Sequence, residues 1–215
     1  EIKTSEDVVI SKAGEYIYEK FFRHYTKKQW DMYPSELDPS VISRVPIRYN
    51  TDERYFTDQY QGMPSAGYAH MFGNMVKSEN IKILLNTDYK EVIGDIEYDK
   101  LIYTGPIDYF FDYTFGKLKY RSIDVVFETK DTCDYQPASV VNYPNDYDFT
   151  RITEFKKLTW QKHDKTVICK EYPTWEGDPY YPVPIDAQKK LYAQYKEKAD
   201  ASKNVVFAGR LAEYK

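Results

Sequence analysis

The hydrophobic positions near the start of the chain repeat with the period of an α-helix. Thr4 or Ser5 is suited to cap this helix, and Glu6 and Asp7 place negative charge in its first turn. The apolar positions that recur at every fourth residue are Val9, Ala13, Ile17 and Phe21. This spacing predicts a helix with one apolar stripe, and the helical pattern runs to about Lys28.

Three prolines divide the segment that follows. Pro34, Pro39 and Pro46 each interrupt a helix interior, so this segment is predicted to form short helical pieces and loop. A second helix is predicted over residues 66–77, with Ser65 as its N-cap.

From residue 80 onward the pattern changes to short runs rich in β-branched and aromatic residues. The candidate strands cover residues 80–92, 100–107, 120–129, 138–144, 150–158, 165–173 and 204–211. A late amphipathic helix is predicted over residues 186–200. Helices therefore come first and a mostly antiparallel sheet follows, which predicts an α+β fold.

Composition and charge exclude several functional classes. Of the 215 residues, 42% are hydrophobic and 30% are charged, which is typical of a soluble globular protein with a sizeable core. No apolar run is long enough for a membrane span or a secretory signal. The net charge of -4 argues against bulk nucleic-acid binding, so positive charge is expected to act locally.

The cysteines and histidines show no spacing typical of a metal site. Cys133 and Cys169 lie far apart and are interpreted as free cytosolic thiols, and the histidines at positions 24, 70 and 163 form no recognisable triad. The sequence also contains no evident nucleophile–base pair and no GxGxxG phosphate loop. We therefore expect neither a metal centre nor catalysis by a side-chain nucleophile.

The stretch "EKFFRHYTKKQW" combines aromatic and basic residues on one predicted helix. Phe21 and Tyr25 share one helical face, and Phe22 and Thr26 share the neighbouring face. A planar base would stack between these faces, with Thr26 as a hydrogen-bond donor. A helix buried on two sides explains the same pattern, and the pattern alone favours that alternative.

Arginines mark the loop that follows this helix. Arg44, Arg48 and Arg54 lie among turn residues, and an arginine fork suits the paired oxygens of a diphosphate. Solvated loop charges are the alternative, and for these residues taken alone it is the stronger one.

Two later stretches carry polar groups at predicted turns. Asn142 and Arg151 flank a polar turn, which would bring both to one end of a sheet. Tyr180 and Tyr181 lie between prolines, so a tyrosine hydroxyl would be held at small entropic cost, although a rigid surface loop is an equal explanation. Together the residues indicate a binding domain for something aromatic and anionic.

Several longer stretches, taken together, resemble the bacterial UDP-galactopyranose mutases. They read "YEKFFRHYTKKQW", "PSELDPSVISRVPIRYNTDERYF", "YQGMPSAGYAHMFGNM", "NTDY", "YTGPID", "VNYPNDYDFTR", "EGDPYYPVP" and "FAGRLAEYK", and they run in family order across nearly all of the chain. The resemblance implies a cytoplasmic flavoenzyme that interconverts UDP-galactopyranose and UDP-galactofuranose for bacterial surface glycans. It implies attack of reduced FAD, through flavin N5, on the anomeric carbon of the sugar, with departure of UDP, ring opening and reclosure. It implies no nucleic-acid partner, and a homodimer is one open assembly for the complete enzyme.

The resemblance also implies roles for individual residues. Arg44 on a mobile loop and Arg151 on fixed scaffold would clamp the diphosphate as the catalytic pair. Thr104, Gly105 and Arg210 would approach FAD. The implied substrate contacts are Phe21, Phe22, Tyr25, Thr26, Trp30, Tyr55, Asn142 and Tyr181.

The chain departs from the family pattern at both ends. The glycine-rich βαβ unit that cradles the FAD pyrophosphate is missing, and so is the segment after Lys215, so we expect an inactive fragment that does not retain FAD. The expected parts are a helical substrate-binding region (1–78, with a mobile loop at about 38–49), a partial FAD-domain segment (79–105), an antiparallel sheet domain (106–200) and a truncated return to the FAD domain (201–215). A flavin-free module that binds sugar nucleotides or glycans is the alternative.

Overall fold

The computed structural model describes residues 1–215, and its first element is a capped helix, α1 (Ser5–Ile17). Thr4 is the cap: its hydroxyl accepts from the backbone N–H of Asp7, while the Asp7 carboxylate accepts from the backbone N–H of Thr4. This reciprocal capping box satisfies donors that a helix start leaves open, which confirms the predicted beginning of the helix.

The predicted continuous apolar stripe is wrong beyond the middle of this helix. Gly14 has φ +81°, which breaks the helical geometry, and a π-helical turn (Tyr18–Phe22) then precedes α2 (Arg23–Trp30). Both irregularities rotate the later residues relative to the first ones. Val9 is therefore fully buried, whereas Phe21 is 57% exposed.

The proline-rich segment forms short pieces as predicted. It contains a 3₁₀ turn (Pro34–Glu36) and α3 (Ser40–Ser43). The next helix, α4 (Gly67–Met75), is shorter than the predicted span. The predicted cap Ser65 is wrong, because Ala66 occupies the cap position and no side chain caps the helix.

The predicted strand at residues 80–92 is absent. Instead, Asp88 accepts from the backbone N–H of Lys90 at 2.9 Å and starts the short helix α5 (Tyr89–Val92). The first strand is β1 (Leu101–Tyr103), which is followed by α6 (Ile107–Phe110). β1 pairs in parallel with the last strand, β7 (Val205–Phe207), although the two lie about a hundred residues apart in the chain.

The larger of the two sheets is antiparallel and has five strands. Its spatial order is β3-β4-β5-β2-β6. The strands are β2 (Tyr120–Lys130), β3 (Val140–Asn142), β4 (Arg151–Glu154), β5 (Thr166–Thr174) and β6 (Tyr181–Pro182). The predicted strand at 150–158 ends early, because α7 (Phe155–Thr159) begins there, and β6 was not predicted. The predicted late helix is present as α8 (Asp186–Asp200).

Polar contacts attach the helical segment to this sheet. Arg121 of β2 is almost fully buried and donates through Nε to the carbonyl of Gln29 at 2.9 Å, near the end of α2. Its guanidinium lies 4.5 Å from the ring of Trp175, whose indole N–H donates to Asp31 at 3.0 Å. A cation at the carbonyl end of a helix is favourable, so these contacts fix α2 against the sheet.

The architecture confirms the predicted α+β class, with helices first and a mostly antiparallel sheet after them. None of the helices combines the length and apolar character needed to cross a membrane. The largest buried cluster joins α6, α8 and the end of the chain through Ile107, Leu118, Tyr195, Ala199 and Tyr214.

Candidate functional site

A cavity of about 580 Å³ lies between the helical segment and the sheet. Its volume falls in the range of small-molecule sites. It is lined by Phe21, Phe22, Tyr25, Thr26, Gln29, Trp30, Val41, Ile42, Arg44, Val45, Tyr55, Asn142, Pro144, Arg151 and Tyr181. All ten residues expected to contact substrate or clamp its diphosphate are therefore brought to one cavity.

The π-helical turn and α2 form an aromatic wall of the cavity. Phe21 and Phe22 come from the wide turn, and Tyr25 and Trp30 come from α2. The Trp30 ring meets the Tyr181 ring edge-on, with 6.2 Å between centroids. A helix buried on two sides does not describe this segment, because the Phe21 side is open.

The sheet forms the opposite wall. In the strand register Asn142 of β3 pairs with Arg151 of β4, and Arg151 pairs with Glu171 of β5. Arg151 Nε lies 2.7 Å from Glu171 Oε2, an ion pair in which the N–H is not well directed at the oxygen. The polar turn thus brings Asn142 and Arg151 side by side at one end of the sheet.

The proline-rich segment supplies the third side. Arg44 directly follows α3 as its C-cap, and with Val41, Ile42 and Val45 it lines the cavity. Two arginines and no acidic residue line the cavity, although Glu171 pairs with one of those arginines from behind. Such a surface favours an anionic ligand.

The structure separates residues that the sequence could not separate. Arg54 pairs with Asp52 at 2.9 Å, and Arg48 donates to backbone carbonyls of its own loop, including that of Asp52 at 3.4 Å. Neither lines the cavity, in contrast to Arg44. Tyr181 lines it as well, whereas Tyr180 does not.

Electrostatics keep the site groups in defined protonation states. Burial raises the pKa of Tyr25, and the nearby Arg151 opposes this only in part, so the hydroxyl stays neutral and able to donate. Burial lowers the pKa of Arg151, but the Glu171 carboxylate outweighs it and the net pKa is raised, which keeps the guanidinium charged.

The residues expected to approach FAD lie at the carboxyl end of the β1–β7 pair. Thr104 follows β1, and Arg210 follows β7. A Cβ added to Gly105 would meet the Tyr103 hydroxyl at 2.6 Å, so a side chain at this position would require the Tyr103 ring to shift. Arg210 lies 5.6 Å from the ring centroid of Tyr181, which connects this end to the cavity. Ligands commonly bind at this end of parallel strands, so the position of the three residues is compatible with the expected contact to a flavin.

Five cavity residues were not predicted from the sequence. Gln29 lies three positions after Thr26, so helical spacing was a usable signal, and Pro144 lies two positions after Asn142. The aliphatic side chains of Val41, Ile42 and Val45 carried no signal, because nothing local distinguishes them from ordinary core residues.

The fold and the cavity define a mixed α+β chain with an aromatic, arginine-bearing pocket. Residues 20–215 match the sequence profile of the family described as UDP-galactopyranose mutase. The chain belongs to the UDP-galactopyranose mutase family.

Individual relatives agree with this assignment. A probable UDP-galactopyranose mutase of Klebsiella pneumoniae is 39% identical over 220 aligned positions, which cover 100% of this chain and 57% of the relative. A dTDP-fucopyranose mutase of Escherichia coli is 37% identical over 220 positions, covering 98% of this chain and 58% of the relative. The chain thus spans somewhat more than half the length of these relatives.

A solved structure shares the fold. The crystal structure of a reduced UDP-galactopyranose mutase superimposes with a TM-score of 0.73 at 16% identity, and the match covers 100% of this chain and 63% of that one.

Proposed function

We propose that this chain supplies the nucleotide-sugar-binding part of a flavin-dependent mutase that interconverts UDP-galactopyranose and UDP-galactofuranose. The observation that carries the proposal is the cavity itself. It joins an aromatic wall to two arginines and contains no acidic lining residue. Membership of the mutase family supports the choice of substrate class.

The aromatic wall is proposed to bind the base. Phe21 is exposed toward the cavity, and Tyr25 stands one helical turn further on, so a planar ring would stack against both. Thr26 is 5% exposed and lines the same wall, where its hydroxyl would hydrogen-bond to the base.

The arginines are proposed to hold the diphosphate. Arg151 is fixed on β4 by its ion pair with Glu171, so its charge is in place before the ligand arrives. Arg44 lies on the proline-rich segment, which we propose closes over the ligand. Negative charge grows on the departing UDP as the anomeric bond breaks, and positioned cations stabilise that charge more in the transition state than in the ground state.

FAD is proposed as the cofactor of the complete enzyme. When bound in its reduced form, it supplies the nucleophile that side chains here do not provide. Thr104, Gly105 and Arg210 would hold one edge of it, beside Tyr181. A flavin-free module that binds sugar nucleotides or glycans is the alternative. Under both proposals we expect the purified chain to carry no flavin absorbance.

The identity of the nucleotide is a second question within the same proposal. The dTDP-fucopyranose mutase is 37% identical to this chain and the Klebsiella relative 39%, so similarity does not distinguish their substrates. Parallel titrations with UDP and dTDP decide between them. We expect the tighter binding for UDP, and a clear preference for dTDP would transfer the proposal to the fucose nucleotide.

Binding of UDP tests the proposed site directly. Phe21→Ala is expected to weaken UDP binding by about fivefold, since stacking on an aromatic contributes roughly 1 kcal/mol. Isothermal titration of the chain with UDP measures this.

Tyr16→Ala is the matched control for this titration. Tyr16 lies on α1 just before the π-helical turn, is 72% exposed and does not line the cavity, so its loss should leave UDP affinity unchanged. Equal UDP affinities of the wild type and Phe21→Ala would contradict the proposal that the base binds against this wall.

A further inference from the structure

One lysine of the helical wall holds the turn that shapes the opposite wall. Lys28 lies on α2, and its ammonium reaches across to the turn between β3 and β4. It donates to the backbone carbonyl oxygens of Tyr143, Asp146 at 3.2 Å, Tyr147 at 3.3 Å and Phe149 at 3.1 Å.

The convergence of these carbonyls favours a cation. A lysine ammonium has three N–H donors, so its hydrogens are shared among the four carbonyl oxygens. These oxygens surround the ammonium with partial negative charge. Tyr147 has φ +62°, a left-handed backbone conformation that does not occur in regular β-structure. The ammonium donates to carbonyl oxygens on both sides of this residue, those of Asp146 and Phe149. Without a positive charge at this point the oxygens would repel one another.

The same helical segment contacts the turn at a second place. His24 Nδ1 lies 3.0 Å from Asn145 Oδ1, and Asn145 Nδ2 donates to the carbonyl of Lys20 at 2.9 Å. These bonds fix the tip of the turn, whereas Lys28 gathers the backbone on both sides of it.

The position of this turn sets the geometry of the cavity. Asn142 and Arg151 are register partners at its two ends, and Pro144 within it lines the cavity. The neighbour of Lys28 on the helix, Gln29, lines the other wall. Lys28 therefore links the two walls that a ligand must contact at the same time.

We propose that Lys28 is a positioning residue: its ammonium holds the β3–β4 turn so that Asn142 and Arg151 keep their places in the ligand site. The inference rests on the proposed nucleotide site for its binding readout. It predicts that a cation of ammonium size, supplied from solution, replaces the side chain once the side chain is removed.

The test measures UDP affinity of the full chain in ammonium chloride and in tetramethylammonium chloride at equal ionic strength. Lys28→Ala is expected to weaken UDP binding on the order of tenfold in the bulky salt, because the carbonyls lose their donor and the turn shifts. Ammonium is expected to restore most of that loss. Lys28→Met fills the space without an N–H donor, so ammonium should not restore its affinity.

Lys27→Ala is the matched control. Lys27 is the adjacent lysine, but it hydrogen-bonds to Asp31 of its own helix end, at 2.6 and 2.9 Å, and lies 5.4 Å from the ring centroid of Tyr33, so it makes no bond to the β3–β4 turn. The UDP affinity of the Lys27→Ala variant should be the same in both salts. A lysine with a merely structural role would lower thermal stability in Lys28→Ala without changing UDP affinity well below the melting temperature, and that result overturns the inference. Equal losses in the two salts overturn it as well.

Failure of the proposed function is distinguishable from failure of this inference. A wild-type chain that binds no UDP contradicts the proposed site, and amide hydrogen exchange of residues 143–150 then decides the role of Lys28. Slower exchange of Lys28→Ala in ammonium than in tetramethylammonium supports the inference. Exchange that does not respond to ammonium refutes it.

Discussion

At the scale of single residues, the two cavity arginines differ in how they are held. Arg151 belongs to a strand and is paired with Glu171, whereas Arg44 ends a four-residue helix between prolines. The first is part of a rigid wall, and the second lies on a segment with few regular hydrogen bonds. We expect this difference to appear in kinetics, since a fixed charge acts mainly on the chemical step.

Replacement of Arg151 tests the fixed charge. In the full-length mutase, Arg151→Ala is expected to lower kcat on the order of 10²-fold or more, as loss of a preorganised stabiliser does. Arg151→Lys should recover only part of the rate, because lysine lacks the paired fork. Steady-state turnover of UDP-galactofuranose measures both. Arg48→Ala, outside the cavity, serves as control. Near-normal turnover in Arg151→Ala would refute the assigned role.

Replacement of Arg44 tests the closing segment. Arg44→Ala is expected to raise KM as well as lower kcat, because the arginine both draws the segment over the diphosphate and stabilises its charge. Steady-state kinetics separate the two parameters. Closure itself is followed by protection of residues 38–49 from proteolysis on addition of UDP. Equal protection in Arg44→Ala and the wild type would contradict the proposal that Arg44 closes the segment while Arg151 acts as a fixed charge.

At the scale of elements, contacts between distant segments fix the walls of the cavity. The segment that leads into α3 is tied to α8 through Asp38 and Lys189, while Ser40 also donates to the Asp38 carboxylate at 2.6 and 2.9 Å. The hydrogen bond from Lys189 contributes most to lowering the pKa of Asp38 to about 2. The tie therefore depends on a carboxylate that must stay ionised.

Acid should weaken this tie. A carboxyl whose folded pKa is depressed stabilises the fold above its unfolded pKa of about 4, and that stabilisation is lost as the pH falls through its folded pKa. The destabilisation caused by Lys189→Met is thus expected to be largest near about pH 6 and to shrink below about pH 4. Urea unfolding at about pH 6 and at about pH 2.5 measures it, because most of the stabilisation is lost only as the pH falls toward the folded pKa of about 2.

Lys190→Met provides the comparison for the acid effect. Lys190 is the next residue on α8 and is exposed, so its replacement should show no such pH dependence. If Lys189→Met lowered the free energy of unfolding by the same amount at both pH values, the contribution of Lys189 would not depend on the ionisation of Asp38.

At the scale of the whole molecule, the chain corresponds to only part of its relatives. It spans 57% of its Klebsiella relative, and no stretch in it matches the glycine-rich loop that binds a dinucleotide pyrophosphate. The cavity proposed to bind the nucleotide sugar is formed within these 215 residues, whereas only one edge of the proposed flavin site is. Substrate binding and turnover should therefore separate.

The 215-residue chain alone is expected to show no mutase activity, even with added FAD and dithionite. It should still bind UDP weakly, because the aromatic wall and both arginines are present. Mutase activity is measured by chromatographic detection of UDP-galactopyranose formed from UDP-galactofuranose. UDP binding is measured by titration. Turnover by the purified chain would show that these residues complete a flavin site without further sequence.

Some features of this protein were determined by local sequence. The capping residues fixed the start of α1, and amphipathic spacing fixed α8, because both depend on hydrogen bonds and side chains within a few turns. The alternating apolar runs of β2 and β5 gave the two longest strands for the same reason. The chemistry of the site, aromatic and cationic, was also legible in the sequence, as was the resemblance to its family.

The tertiary structure alone decided which residues face one another. The irregular turn at Tyr18–Phe22 opens Phe21 to the cavity, strand register places Asn142 beside Arg151, and packing selects Arg44 over its neighbouring arginines. The apolar run at residues 80–92 forms no strand, since a strand needs a partner that local pattern does not supply. These outcomes depend on contacts between segments far apart in the chain, such as the bond from Lys28 to Phe149, and periodicity records only what lies nearby.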